Sequence, residues 1–383
     1  MYRVLLINHA AELGGAEYGL LDIARHYGPA RCHVVLFADG PLRAQLESAG
    51  IGVTLLAGKN GMMGVTREAG LLRTLAALPS VLRMAWRLAR IARGYDVLYL
   101  NSQKAAVVGM IVGPLVGKPV IWHLHDILSH EHFAPLQRRA IVLLANLAAR
   151  RVIAISEVTK RSFLDCGGNP KLVSVVLNGL DLDRFENIEA FDVLGMRAEL
   201  GLTGRKLVGL FGRISPWKGQ HILIEALPAL PDVHAVIVGD ALFGEAEYKA
   251  SLLALAERLG VADRVHWLGY RRDTPQLMRM VDVVVHASTA PEPFGRVIIE
   301  GVLAGRPVLA SSHGASRELL GDDFPWLVAP ADAPALASAI DRVFKHPPAE
   351  VAAIVAAERE RAFDLFTLPR MMQAIETVVA EAA

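Results

Sequence analysis

Apolar residues in this chain collect into short, nearly unbroken runs, and between the runs they recur at helical spacing. The runs at 4–8, 32–37 and 53–56 have the length and β-branched content of strands buried on both faces, while 17–27 and 42–49 read as helices. That alternation predicts βαβ units and a doubly wound parallel sheet, an α/β fold class. Further strands are expected at 97–100, 119–122, 152–155 and 173–177, and a second series at 206–211, 234–238, 264–268, 281–287 and 307–310. On such sheets ligands bind beyond the carboxyl ends of the strands, so the loops that follow each run are where chemistry is sought.

Length and composition refine this picture. At 383 residues and 53% apolar content, the chain exceeds one typical core and fits two. A formal charge of +1 hides an asymmetry: residues 1–180 carry an excess of +9 and residues 181–383 an excess of −8. The basic half points to an anionic surface, and because no nucleic-acid motif accompanies the charge, no nucleic-acid partner is expected. Cys32 and Cys166 form neither a disulfide framework nor a metal pattern, which fits a reducing cytoplasm. The first apolar run is too short for a secretory signal, and 105–122 is broken by Gly113-Pro114 and Lys118-Pro119, so it reads as a helix and a strand instead of a span.

One segment departs from an ordinary surface helix. Between 67 and 93 lie Arg67, Arg73, Arg83, Arg87, Arg90 and Arg93, interleaved with leucines and Trp86, with Pro79 expected to divide two helical pieces. It reads either as a helix with its arginines in water or as an amphipathic stretch docking on anionic lipid.

The candidate chemistry centres on 281–307. A buried strand gives way to a loop in which Pro291 and Pro293 hold Glu292 extended and Gly295 admits close backbone approach, and a helix starts there with unpaired amides suited to a phosphate. Glu300 follows among Val297, Ile298, Ile299, Val302 and Leu303, where a carboxylate needs hydrogen-bond donors such as sugar hydroxyls. Singly, each glutamate reads equally well as a solvated residue. Together, Glu-Pro-Phe-Gly-x4-Glu resembles the signature of the retaining glycosyltransferases of family 4, which have the GT-B fold of two Rossmann-like domains facing across a cleft.

Other segments carry the resemblance along nearly the whole chain, most strongly over 206–330. Arg213 and Lys218 stand at the ends of a short strand-end loop, and a guanidinium and an ammonium there suit a diphosphate. Their wording, Gly-Arg-x4-Lys-Gly, resembles the family's diphosphate-binding element. Gly14-Gly15 resembles the glycine turn near the donor phosphates, and the resemblance assigns His125 to the donor sugar, with His123 in reserve. No third ligand lies at metal-binding spacing from these histidines. The segment Asn178-Gly179-Leu180-Asp181 resembles the family's interdomain crossing, so Asp181-x-Asp183 is read as turn-forming aspartates and not as a metal site. The implied domains are 1–180 and 181–361, with a helix over 362–383 returning to the first. Gly239 and Tyr270 are implied near donor and base, Phe294, Gly295 and Arg296 along the donor, Glu292 on sugar hydroxyls and Glu300 on the ribose. Gly301 departs from the family pattern, where alanine is usual.

The implied activity is hexosyl transfer from a nucleoside-diphosphate sugar to a saccharide or lipid-linked acceptor, with retention and without metal or other cofactor, in cell-envelope polysaccharide or glycolipid synthesis. The expected location is the cytoplasm, peripheral on the inner face of the membrane. A nucleotide-sugar 2-epimerase, a phosphorylase or a non-catalytic nucleotide-sugar-binding protein of the same architecture are the alternatives.

Overall fold

The protein is described by a computed structural model over residues 2–56, 71–129, 133–241 and 244–383, with 71–81 given by their backbone path. It divides into two compact units, Met1–Gly179 with Leu368–Ala383, and Leu180–Thr367.

In unit 1 the elements follow as β1 (Val4–Asn8), α1 (Gly15–Arg31), β2 (Cys32–Leu36), α2 (Pro41–Ser48), β3 (Gly52–Leu55), α3 (Leu71–Ala92), β4 (Val97–Leu100), α4 (Gln103–Leu115), β5 (Val120–Leu124), α5 (Pro135–Ala148), β6 (Arg151–Ala154), α6 (Glu157–Asp165) and β7 (Val173–Val175). All seven strands are parallel, in the order β3-β2-β1-β4-β5-β6-β7. The apolar runs are explained by the pleat: successive residues face opposite sides, and both sides are covered. Leu5, Ile7, Leu98, Leu100 and Trp122 join a core beneath α3, α4 and α5. Val4, Leu6, Val97, Tyr99 and Ile121 join a second core beneath α1 and α2.

One expectation is corrected here. Pro79 does not divide the arginine-rich segment, because α3 runs as one element from Leu71 to Ala92, carried by strong helix formers on either side of the proline. Arg67 lies outside the described residues.

Unit 2 contains α7 (Val193–Glu199), β8 (Lys206–Phe211), α8 (Gln220–Ala226), β9 (Val233–Val238), α9 (Ala246–Arg258), β10 (Val265–Gly269), α10 (Thr274–Met280), β11 (Val283–His286), α11 (Arg296–Leu303), β12 (Val308–Ser311), α12 (Ser316–Leu320), β13 (Leu327–Val328), α13 (Ala333–Lys345) and α14 (Pro348–Leu365). Its parallel sheet has the order β10-β9-β8-β11-β12-β13. After Phe366-Thr367 the chain forms α15 (Leu368–Ala382), whose Met371, Met372, Ile375 and Val379 complete the second core of unit 1. The returning helix therefore starts at Leu368, and 362–365 close α14 instead.

In each sheet the first strand of the series lies centrally and the order reverses beside it, at β1/β4 and at β8/β11. Connections leave to opposite faces at such a switch point, and the strand ends there open a crevice.

Candidate active site

At the β1/β4 switch point of unit 1, buried strands end in buried polar residues. Asn8 and Asn101 terminate β1 and β4 with no exposed surface. Asn8 Nδ2 donates to Ala10 O at 2.9 Å and to Glu17 Oε1 at 3.1 Å. Asn101 Nδ2 donates to Ala16 O at 3.1 Å, which turns its Oδ1 toward His125 Nε2 at 2.9 Å. With Asn101 Oδ1 able only to accept, His125 Nε2 carries the proton and Nδ1 keeps its lone pair. Burial lowers the His125 pKa to about 4, so the ring is neutral at physiological pH. His123 lies beside it with its ring tilted, centroids 4.0 Å apart, and its Nδ1 lies 2.8 Å from Tyr99 Oη. Burial, then the neighbouring His125, pushes His123 well below the ordinary imidazole value. Gly14 caps α1 through its backbone and Gly15 opens the helix, while Glu17 sits in the first turn with its pKa raised, chiefly by burial. The two histidines at its centre are therefore neutral rings in a polar setting.

The β8/β11 switch point of unit 2 is of another kind. After β8, Gly212 and Arg213 lead into a one-turn 3-10 helix, Pro216–Lys218, which ends at left-handed Gly219. A Cβ on Gly219 would fall 1.9 Å from Ala287 O, so only glycine lets this loop close on the end of β11. The closure carries Lys218 Nζ to 2.6 Å from Glu292 Oε1, with both side chains largely buried. His286 Nε2 is 3.0 Å from the same oxygen, and Ser288 Oγ donates to it as well. Burial alone would raise the Glu292 pKa, but the Lys218 ammonium and the His286 imidazole outweigh it and hold the carboxylate well below its usual range. Trp217 gathers the cations: Lys218 Nζ lies 4.3 Å and the Arg213 guanidinium carbon 5.9 Å from its ring centroid.

The backbone of Glu292 is fixed from the loop after β12. Ala315 N donates to Glu292 O at 2.9 Å, and left-handed Gly314 lies so close that a Cβ would meet Glu292 N at 2.4 Å. Gly295, also left-handed, precedes α11, whose amide end no side chain caps. Glu300 is partly buried, with Oε1 3.8 Å from Arg296 Nε.

The structure thus brings Arg213, Lys218, Glu292, Gly295, Arg296 and Glu300 onto the strand-end side of one unit, and Gly239 joins them. Gly239 packs against Gly212, with its N–H donating to Gly269 O at 2.8 Å. Tyr270 follows as a largely exposed side chain. Phe294 is placed differently: its ring is buried edge-on to Phe366 at 6.0 Å, so it serves the apolar core of unit 2 and offers a ligand only its backbone. Asp181 and Asp183 are exposed around a one-turn helix that Asp181 precedes without a side-chain cap. Among the described residues no group of three His, Cys, Asp or Glu side chains is placed to hold a metal ion. Asn8, Glu17, Asn101, Trp217, His286 and Ser288 escaped the reading of the sequence. A signal existed, since Asn8, Asn101 and His286 are each a polar residue ending an apolar strand.

Two parallel-sheet α/β units, each with its polar residues gathered at the switch point, define the architecture of GT-B glycosyltransferases. The sequence matches Glycosyltransferase Family 4 over residues 13–184 and Glycosyl transferases group 1 over 195–360, and the chain belongs to this family. HepE of Anabaena, whose crystal structure was solved in complex with UDP-glucose, is 37% identical, with a TM-score of 0.88 over 99% of this chain and 100% of that one. The D-inositol 3-phosphate glycosyltransferase of Mycobacterium sp. (strain JLS) is 33% identical over 57% of this chain and 52% of its own. The lipopolysaccharide core biosynthesis mannosyltransferase LpsB of Rhizobium meliloti is 32% identical over 42% and 46%. The chain spans about half the length of these two curated relatives.

Proposed function

We propose that the protein transfers a hexose from a nucleoside-diphosphate sugar, with UDP-glucose the first donor to test, to a hydroxyl of a saccharide or lipid-linked acceptor, retaining anomeric configuration. The observation that carries this reading is the cluster of Lys218, His286 and Ser288 on Glu292 Oε1, built by glycine contacts at a switch point. In the reaction the bond between the anomeric carbon and the diphosphate oxygen breaks, and its electron pair leaves with that oxygen. The acceptor oxygen bonds the same face of the sugar, and its proton passes to the departing phosphate. Negative charge on the diphosphate is the chief demand, and preorganised donors answer it. Lys218 has two further N–H groups beyond the one on Glu292, Arg213 shares its indole platform, and the amide end of α11 adds dipoles. None of these requires a metal ion.

Glu292, ionised and anchored through Oε1, offers Oε2 to sugar hydroxyls, and Glu300 offers its carboxylate to the ribose. The bare Nδ1 of neutral His125 accepts a hydroxyl proton, a role that a protonated ring would lose. The name of one relative, a lipopolysaccharide core biosynthesis mannosyltransferase, supports a place in envelope glycan assembly; the cytoplasmic face of a membrane, with the protein bound peripherally, is the location proposed with it. Among the described residues no helix is long and apolar enough to cross one.

The test is turnover of UDP-glucose, GDP-mannose and ADP-glucose with glycan and glycolipid acceptors, with the anomeric configuration of the product read by NMR and the rate repeated in EDTA. Failure of every donor to bind sinks the reading. Conversion of donor without acceptor assigns an epimerase instead, inversion refutes retention, and a rate abolished by EDTA and restored by Mn²⁺ refutes metal independence.

A further inference from the structure

We propose that the outer faces of α3, α4 and α5 form one continuous surface that docks unit 1 on an anionic lipid bilayer. The surface extends well beyond the arginine-rich segment, and its use rests on the reading of a membrane-linked acceptor. The three helices lie side by side over one core, with α4 in the middle. A surface helix ordinarily turns a polar stripe to water. In α4 the exposed positions are Lys104, Val107, Ile111, Pro114 and Leu115, and all but the lysine are apolar. Leu115 is 76% exposed. In α5, Leu136, Leu143 and Leu147 repeat at helical spacing on the open side, with Leu147 77% exposed. In α3, Leu82 and Trp86 do the same, and the Arg90 guanidinium carbon lies 4.8 Å from the Trp86 ring centroid.

Charge selects the occupant. None of the three helices contains an aspartate or glutamate. Exposed Arg83, Arg87, Arg90, Lys104 and Arg139 lie among the apolar positions, and among the described residues no ion pair involves them. The helix layer on the other sheet face is unlike this: Arg43 pairs with Glu47, and His26 and Arg31 with Glu376. A second protein would be expected to meet some carboxylate here. A bilayer with anionic headgroups matches apolar stripes interspersed with long cationic side chains, which extend their charge to the headgroups while the leucines and the tryptophan enter the interface.

The test is co-sedimentation of the full-length chain with vesicles of phosphatidylcholine alone or mixed with phosphatidylglycerol. The chain is expected to bind the mixed vesicles and not the neutral ones. Ile111→Glu combined with Leu143→Glu should weaken that binding at least about tenfold, since both carboxylates would face anionic headgroups. Arg87→Gln with Arg90→Gln, which keeps the apolar stripes, should lower affinity and flatten its salt dependence. Binding of UDP-glucose, followed by thermal shift, should be the same in all variants. Its absence in the wild type would count against the donor reading and leave the docking result interpretable. Indifference to lipid charge overturns the proposal, as does lipid-free dimerisation of the wild type that Ile111→Glu with Leu143→Glu abolishes, which would assign the face to a second copy.

Discussion

The two switch points share a topology and differ in charge. In unit 1, His123 pairs with Tyr99 and His125 with Asn101, and burial removes the charges of both histidines. In unit 2 burial also works against the charge of Glu292, yet Lys218 and His286 keep it ionised. On the proposed function, the difference matches what each crevice would receive. A neutral network suits hydroxyls, where a fixed charge would add only a desolvation cost. An ion pair with spare donors suits a diphosphate, whose charge completes it.

The sharpest way to break this comparison is to remove the ammonium. Lys218→Ala is expected to lower turnover about 10³-fold, the scale on which losing one charge-stabilising group acts. It also strands Glu292, and breaking a buried pair costs roughly 3–5 kcal/mol of stability. Adding Glu292→Gln should restore much of the melting temperature and none of the turnover. If the double variant turned over normally, the pair would be structural and the unit 2 reading would fail.

Acid separates the two regions. The folded pKa values of His123 and His125 lie below the ordinary 6.5, so the unfolded chain takes up protons first. Stability from the neutral rings is complete above pH 6.5 and is lost as pH falls below it; for His125 the loss runs down to about 4 and is on the order of 3 kcal/mol. Glu292 is also depressed, but from 4.5, so its contribution persists until pH falls below that value. Glu17, with its pKa raised by burial, works in the opposite sense, losing stability as pH rises through its folded value above 4.5. Between pH 7 and 5, hydrogen exchange corrected for its intrinsic rate should accelerate in β4 and β5 and hold steady in β11 and α11. Equal acceleration in both would erase the distinction.

A smaller effect comes from the backbone that positions Glu292. Gly314→Ala places a Cβ against Glu292 N at a left-handed position, where strain costs ~1–3 kcal/mol. Melting temperature should fall and donor affinity with it. A drop in stability with unchanged affinity would show that the contact does not position Glu292.

How much of this was legible in the chain depends on distance along it. Both parallel sheets follow from apolar runs, because strands covered on two faces cannot alternate. Arg213 with Lys218, and Glu292 with Glu300, were visible because each pair lies within one loop or helix entry. His286 and Ser288 were hidden inside the run Val-Val-Val-His-Ala-Ser, where the strand pattern outweighed the polar residues at its end. Gly314 acts on Glu292 from the loop after another strand, a contact that only β11–β12 pairing creates. Phe294 sat in the signature and was placed along the donor; that its ring packs on Phe366, from the far end of unit 2, was not visible.

Glu300→Gln gives the smallest expected effect and the cleanest division between holding the fold and holding a ligand. Its ion pair with Arg296 spans a long 3.8 Å at i,i+4 spacing, and helix pairs at that spacing contribute about 0.3–0.5 kcal/mol, so the melting temperature should hardly move. If instead the carboxylate accepts ribose hydroxyls, the charged hydrogen bonds lost amount to roughly 1.5 kcal/mol or more, and donor KM should rise about tenfold. Turnover at saturating donor should stay near the wild-type value, since the ribose is remote from the breaking bond. A variant that lost stability and kept its KM would return Glu300 to the role of an ordinary helix glutamate, and would leave nucleotide recognition in unit 2 to the loops after β9 and β10.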